Sequence, residues 1–135
     1  MSLRAIPLLV IAFIFYNLIV LSFGIEGLSS PIFTTTLLSG GTWTFVWGDL
    51  ILLVTLFLLF TEIVKSTFTS TSTLIDHALS MVVFIAILVE FLMVPQAATS
   101  VFFLILIASL IDVIAGYTIG IRVARRDLSI GGGDQ

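Results

Sequence analysis

The chain has 135 residues, of which 59% are hydrophobic and 10% charged, with a mean hydropathy of +1.30. Soluble domains carry about a quarter charged residues, so a chain this poor in charge cannot keep an aqueous surface wet and has to use lipid as part of its solvent. The absence of cysteine excludes disulfides, thiolate metal sites and cysteine nucleophiles; the net charge of −3, without a basic stretch, excludes nucleic acid; and one histidine is too few for a multi-histidine metal site within a chain.

A membrane-crossing helix needs about 20 mostly apolar residues. Four segments qualify, at 4–23, 44–64, 74–94 and 99–123. Closed β-barrels also cross membranes, but on short strands that alternate apolar with polar, whereas these runs are long and continuously apolar. The sequence therefore predicts an all-α membrane protein, a single domain forming a four-transmembrane-helix bundle. The first run, IPLLVIAFIFYNLIVLSF at its centre, is longer than the 7–15 residues of a signal core and precedes no A-x-A site, so it reads as a retained span. It carries one amide, Asn17.

The following segment, IEGLSSPIFTTTLLSGGT, is longer than a turn and still holds Ile32, Phe33, Leu37 and Leu38. It reads as a short helix along the interface, between breakers at Pro31 and Gly40-Gly41. Trp43 and Trp47 fall at the outer start of the second span, where interfacial tryptophan anchors a helix to lipid. That span holds Asp49 near its start and closes on Glu62 and Lys65, three apart and able to pair on one helix face. The polar turn STFTSTST (66–73) follows, with Thr73 and Asp76 spaced as a capping box for the third span. Asp76, Ser80, Val83, Ile87 and Glu90 share a face of that span, and His77 sits at its inner edge as a solvated or hydrogen-bonded residue. PQAA (95–98) is a tight outer turn that makes the third and fourth spans antiparallel neighbours. In the fourth span Ala108, Asp112, Gly116 and Gly120 fall on one stripe, and Gly116–Gly120 form a GxxxG pattern through which helices approach closely. The segment 127–135, DLSIGGGDQ, is a flexible tail.

All five basic residues, Arg4, Lys65, Arg122, Arg125 and Arg126, lie on one side of a four-span arrangement. The positive-inside rule places that side, and both termini, in the cytoplasm, with Arg122, Arg125 and Arg126 against anionic headgroups. At about 1.5 Å per residue, Asp112 lies near the bilayer centre and Asn17 a few Å outward. Asp49 and Glu90 lie roughly 8–9 Å outward. Glu62, Lys65, Asp76 and His77 gather at the inner interface. A carboxylate at the centre of a span costs about 2.5–3.5 kcal/mol, while an interhelical hydrogen bond in a membrane contributes about 0.6 kcal/mol. Asp112, Glu90 and Asp49 thus have two readings. In one, Asp112 is a protonated carboxyl hydrogen-bonded to a neighbouring helix, with Asn17 a candidate partner. In the other, the three acids bind or pass protons or cations.

Catalytic signatures are missing: there is no GxSxG elbow, HExxH pair, Walker loop or dinucleotide glycine fingerprint. We expect no enzyme, no metal and no cofactor; a haem on His77 would need a second ligand from another copy. The layout of the last three spans, with Glu62-Ile-Val-Lys65 closing the second, resembles the phosphate-starvation-inducible PsiE-type membrane proteins over about two-thirds of the chain. That resemblance implies a small four-span bacterial inner-membrane protein and assigns no functional residue. Two functions follow from the residues: an accessory or scaffold subunit that packs as a homo-oligomer or within a larger membrane complex, or a transport or channel subunit using intramembrane carboxylates. A reporter fused after Gln135 is expected to be active on the cytoplasmic side only; activity on the far side reverses the topology.

Overall fold

The computed structural model describes residues 6–68 and 73–133. Four helices carry the fold: α1 (Leu9–Phe23), α2 (Trp47–Phe68), α3 (Thr73–Met93) and α4 (Ser100–Gly133). Three of them are long and apolar enough to cross a membrane, over Trp47–Thr67, Ile75–Met93 and Ser100–Ile119. They suggest a small membrane protein. The fourth apolar helix, α1, has 15 residues, about 22 Å at the helical rise, against a hydrocarbon core of about 30 Å. It is shorter than the 4–23 span predicted, and its limits have local causes. Pro7 cannot donate a backbone hydrogen bond, and Val10 N–H bonds the Pro7 carbonyl at 3.2 Å as the helix starts. At the other end Gly24 takes φ 77°, where a side chain would be strained, and its N–H closes on Val20 O at 2.8 Å.

The segment between α1 and α2 corrects the expectation of an interfacial helix. After a 3-10 turn over Ile25–Ser29 the chain forms an antiparallel hairpin, β1 (Pro31–Thr36) and β2 (Thr42–Val46), with Phe33 opposite Phe45 and Thr35 opposite Trp43. Threonine and aromatic residues fit a pleated strand better than a helix. The turn forms because Gly40 N–H reaches Leu37 O at 2.9 Å and Gly40 itself adopts φ 87°. Trp43 therefore belongs to a strand, and α2 begins at Trp47 rather than at residue 44. Phe33, Trp43 and Phe45 pack as a trio, with ring centroids 5.1–5.7 Å apart. The other predicted helix limits fall within one residue at α3 and at the start of α4. The helical backbone of α4 runs on to Gly133, through most of the segment read as a flexible tail. The 66–73 turn is described only to residue 68 and from residue 73, so the Thr73 cap lies outside the described side chains, and Arg4 lies outside the described residues.

Helix α4 is the most buried of the spanning helices and packs chiefly against α2 and α3, while α1 lies mainly on α2. The core joins Tyr16 and Val20 of α1, Ile51 of α2, Ile87 of α3, and Phe102, Ile105 and Leu106 of α4. Phe102 is its hub: its ring meets Tyr16 edge-on at 4.9 Å and lies parallel to Phe91 at 6.2 Å. Truncating a buried phenylalanine removes dispersion contacts and leaves a cavity. Phe102→Ala is expected to cost about 3–5 kcal/mol, read as an earlier midpoint on SDS titration; an unchanged midpoint would mean that Phe102 is not packed in this core.

Candidate functional site

Polar side chains inside the bundle collect at two levels. The larger cluster lies towards the Lys65 end. Glu62 is 6% exposed and Asp112 4% exposed. Glu62 Oε1 accepts the Leu8 backbone N–H at 2.8 Å and lies 3.6 Å from Lys65 Nζ, so the predicted pairing three residues apart is present. Asp112 accepts a hydrogen bond from the Ser80 hydroxyl and stands within electrostatic reach of Glu62 and Lys65. The cluster thus joins α2, α3, α4 and the start of α1. A single hydrogen bond of about 0.6 kcal/mol would not offset an insertion cost of about 2.5–3.5 kcal/mol for Asp112; Lys65 adds an attraction weaker than that hydrogen bond, and the neighbouring Glu62 carboxylate repels the ionised form.

The stripe on α4 faces this cluster. Ala108, Asp112 and Gly116 are all buried, while the side of Gly120 is outside the described residues. A Cβ on Gly116 would stand 3.1 Å from both Cε1 and Nδ1 of His77. The His77 ring stacks on Tyr117 with centroids 4.5 Å apart and planes at 22°. His77 Nε2 and the neighbouring Asp76 Oδ1 are buried without a hydrogen-bond partner. The inner polar group of Glu62, Lys65, Asp76 and His77 expected from the sequence is therefore joined by Asp112, Ser80 and Ser66.

The second level is at the hairpin end. Tyr16, 1% exposed, donates to the Gln96 carbonyl at 2.8 Å and meets Thr99 Oγ1 at 2.7 Å. Because the phenol uses its one proton on Gln96, Thr99 donates to it, and Thr99 Oγ1 in turn accepts Phe102 N–H at 3.2 Å. Glu90 lies within electrostatic reach of Tyr16, and its Oε2 is buried without a partner. Asp49 sits in the first turn of α2 and accepts Val46 N–H at 3.2 Å, reaching back to the residue before the helix as the acidic half of a capping box does.

Asp49, Glu90 and Asp112 do not form one group. Glu90 lies ten residues beyond Ser80 on α3, about 15 Å away, and Asp49 lies thirteen residues before Glu62 on α2, about 20 Å away. Ile51, Ile87, Phe102 and Ile105, each 0% exposed, fill the space between the levels. Asn17 does not reach Asp112 either; its amide donates to Phe13 O on its own helix at 2.9 Å. Nor is Asp112 without a basic neighbour. Lys65 of α2 lies within electrostatic reach of it. Tyr16 went unnoticed in the sequence, although a hydroxyl in an apolar helix must find a partner where water is absent. Trp47 opens α2, Arg122 is exposed on α4 just past its apolar stretch Ser100–Ile119, and the side chains of Arg125 and Arg126 lie outside the described residues.

Among the described residues no three His, Asp or Glu side chains are placed to hold a metal ion. Comparison with protein families, curated proteins and solved structures gives no match for the chain, so its chemistry has to be read from this geometry. Glu62 is the group whose loss reaches furthest. Glu62→Gln keeps an oxygen for Leu8 N–H, whereas Glu62→Leu leaves that donor unpaired at a cost of about 1–3 kcal/mol. Amide hydrogen exchange at Leu8–Val10 is expected to accelerate by about tenfold or more in Glu62→Leu and by much less in Glu62→Gln; equal rates in both would show that Glu62 does not fasten α1.

Proposed function

We propose that the chain works as an accessory or scaffold subunit in a lipid bilayer, assembling with copies of itself or with a larger membrane complex, and that it is not an enzyme. The observation that carries this reading is the division of its polar interior. The acids at the Lys65 end bind the helices to one another, the tyrosine–threonine pair at the hairpin end does the same, and the buried Ile51, Ile87, Phe102 and Ile105 lie between them. The buried hydroxyls of Thr55 and Ser109 also lie at that level, and Thr55 spends its proton on the Ile51 carbonyl of its own helix at 2.7 Å. The outward faces, by contrast, are broadly apolar, with Leu18, Leu21, Leu56, Phe57, Phe60 and Val82 all exposed, as suits lipid and partner helices. A bacterial inner-membrane location with both termini in the cytoplasm fits the placement of the basic residues, and the PsiE-type resemblance fits the same setting.

One feature favours the alternative of proton or cation handling. Glu62 and Asp112 stand as two acids beside Lys65, and Glu90 Oε2 is buried without a partner. An oligomer could join these groups across chains. In mild detergent, native mass spectrometry is expected to show the chain in a complex larger than a monomer, and proteoliposomes are expected to retain an imposed pH gradient. Dissipation of that gradient by wild type, lost in Glu90→Gln and Asp112→Asn, would replace the scaffold reading with the transport one.

A further inference from the structure

The shortness of α1 has a geometric result. Where the helix stops at Phe23 the 3-10 turn folds over its end, and a cavity of about 280 Å³ remains between that turn and the first residue of α2, lined by Ile19, Phe23, Gly27, Ser30 and Trp47. The walls are fixed. A Cβ on Gly27 would stand 2.7 Å from Phe23 Cβ, and Trp47 N–H bonds the Ser30 carbonyl at 3.1 Å. Ser30 and the indole N–H of Trp47 are the polar side-chain groups of the lining. Apolar cavities of about 150 Å³ stay dry and take up apolar molecules such as benzene; this one is larger, and its lining is otherwise apolar.

We propose that this cavity holds one acyl chain of a membrane lipid, an assignment that rests on the chain residing in a bilayer. Two observations choose the occupant. Phe23 both lines the cavity and is exposed on the outside of α1, so an apolar side chain joins the cavity to the lipid-facing surface. It also lies where α1 falls short of the hydrocarbon thickness, and chains of neighbouring lipids must fill the room beside a short helix. Charge selects the headgroup. Glu26 lies in the 3-10 turn and Asp49 in the first turn of α2, while the described basic side chains, Lys65 and Arg122, are at the opposite end. An anionic headgroup is therefore disfavoured and a zwitterionic one is accepted.

The two tryptophans permit a direct test in vesicles of phosphatidylcholine carrying bromine in mid-chain, a quencher of indole fluorescence. In a Trp43→Phe background, Trp47 reports on the cavity; in a Trp47→Phe background, Trp43 reports on the hairpin alone. Filling the cavity by Ser30→Leu, or independently by Ile19→Phe, is expected to remove roughly half of the Trp47 quenching, since one face of the indole then meets protein instead of lipid, and to leave Trp43 unchanged. Trp47 quenching that is the same with and without either filling substitution overturns the lipid site while leaving the membrane location standing. Absence of quenching at both tryptophans overturns the location and the site together.

Discussion

The close contact of α2 and α3 with the small-residue face of α4 is what the remaining structure depends on. Between helices in lipid, apolar surface gives little net attraction, because the lipid tails are as apolar as the side chains; association comes from close packing and polar contacts. Ala108, Ser109 and Gly116 supply the close approach, and His77 stands over Gly116 with no room for even a methyl group to spare. That approach lets the Ser80 hydroxyl reach Asp112 and lets the Glu62–Lys65 pair act on it. A bulkier face would part the helices by more than a hydrogen bond tolerates. The small stripe and the buried acid are thus one device: the stripe sets the distance at which the acid can be satisfied.

Hydroxyl groups follow the same constraint by a different route. Thr55, Thr61, Ser66 and Thr118 each donate to the carbonyl four residues earlier on their own helix, at 2.7–3.0 Å. Such bonds need no neighbour, so these residues can sit anywhere along an apolar helix without dictating its partners. Carboxylates have no proton to donate when ionised and cannot use this route. They require a donor or a cation from elsewhere, which is why Glu62 and Asp112, unlike these four hydroxyls, tie separate helices together. Glu90 Oε2, Asp76 Oδ1 and His77 Nε2 remain as the buried polar atoms that the described residues leave unpartnered.

The three long apolar runs and the α4 packing face were legible because their signal is local: hydropathy for the helices, a four-residue spacing for the stripe. The hairpin is less legible because its apolar content also fits an interfacial helix, although the threonines and aromatics of PIFTTT and TWTFV carry strand preference and Gly40-Gly41 offers the turn. The grouping of acids was misjudged for a geometric reason. Depth along each helix does not say which face meets which neighbour, and the contacts of Asp112 with Ser80, Glu62 and Lys65 come from two other helices. Tyr16 and Ser80 stayed silent as sites because their partners, Gln96, Thr99 and Asp112, are far away in sequence, and no local pattern ties them together.

The hairpin is not an independent flap. Two strands alone are marginally stable in water, and here the base of the pair is locked to the bundle. Trp47 N–H bonds Ser30 O at 3.1 Å. Gly48 lies under the Leu28 carbonyl so closely that a Cβ there would stand 3.2 Å from its oxygen and 3.1 Å from Val101 Cγ2 of α4. β2 then runs into α2 without a linker, since Val46 ends the strand and Trp47 begins the helix. A force on the Phe33–Trp43–Phe45 trio is therefore transmitted to α2 and, through Gly48, to α4, the helix that carries Asp112. The aromatic hairpin end, with its acids Glu26 and Asp49, and the Lys65 end are in this way joined through one helix, α2, and its contact with α4.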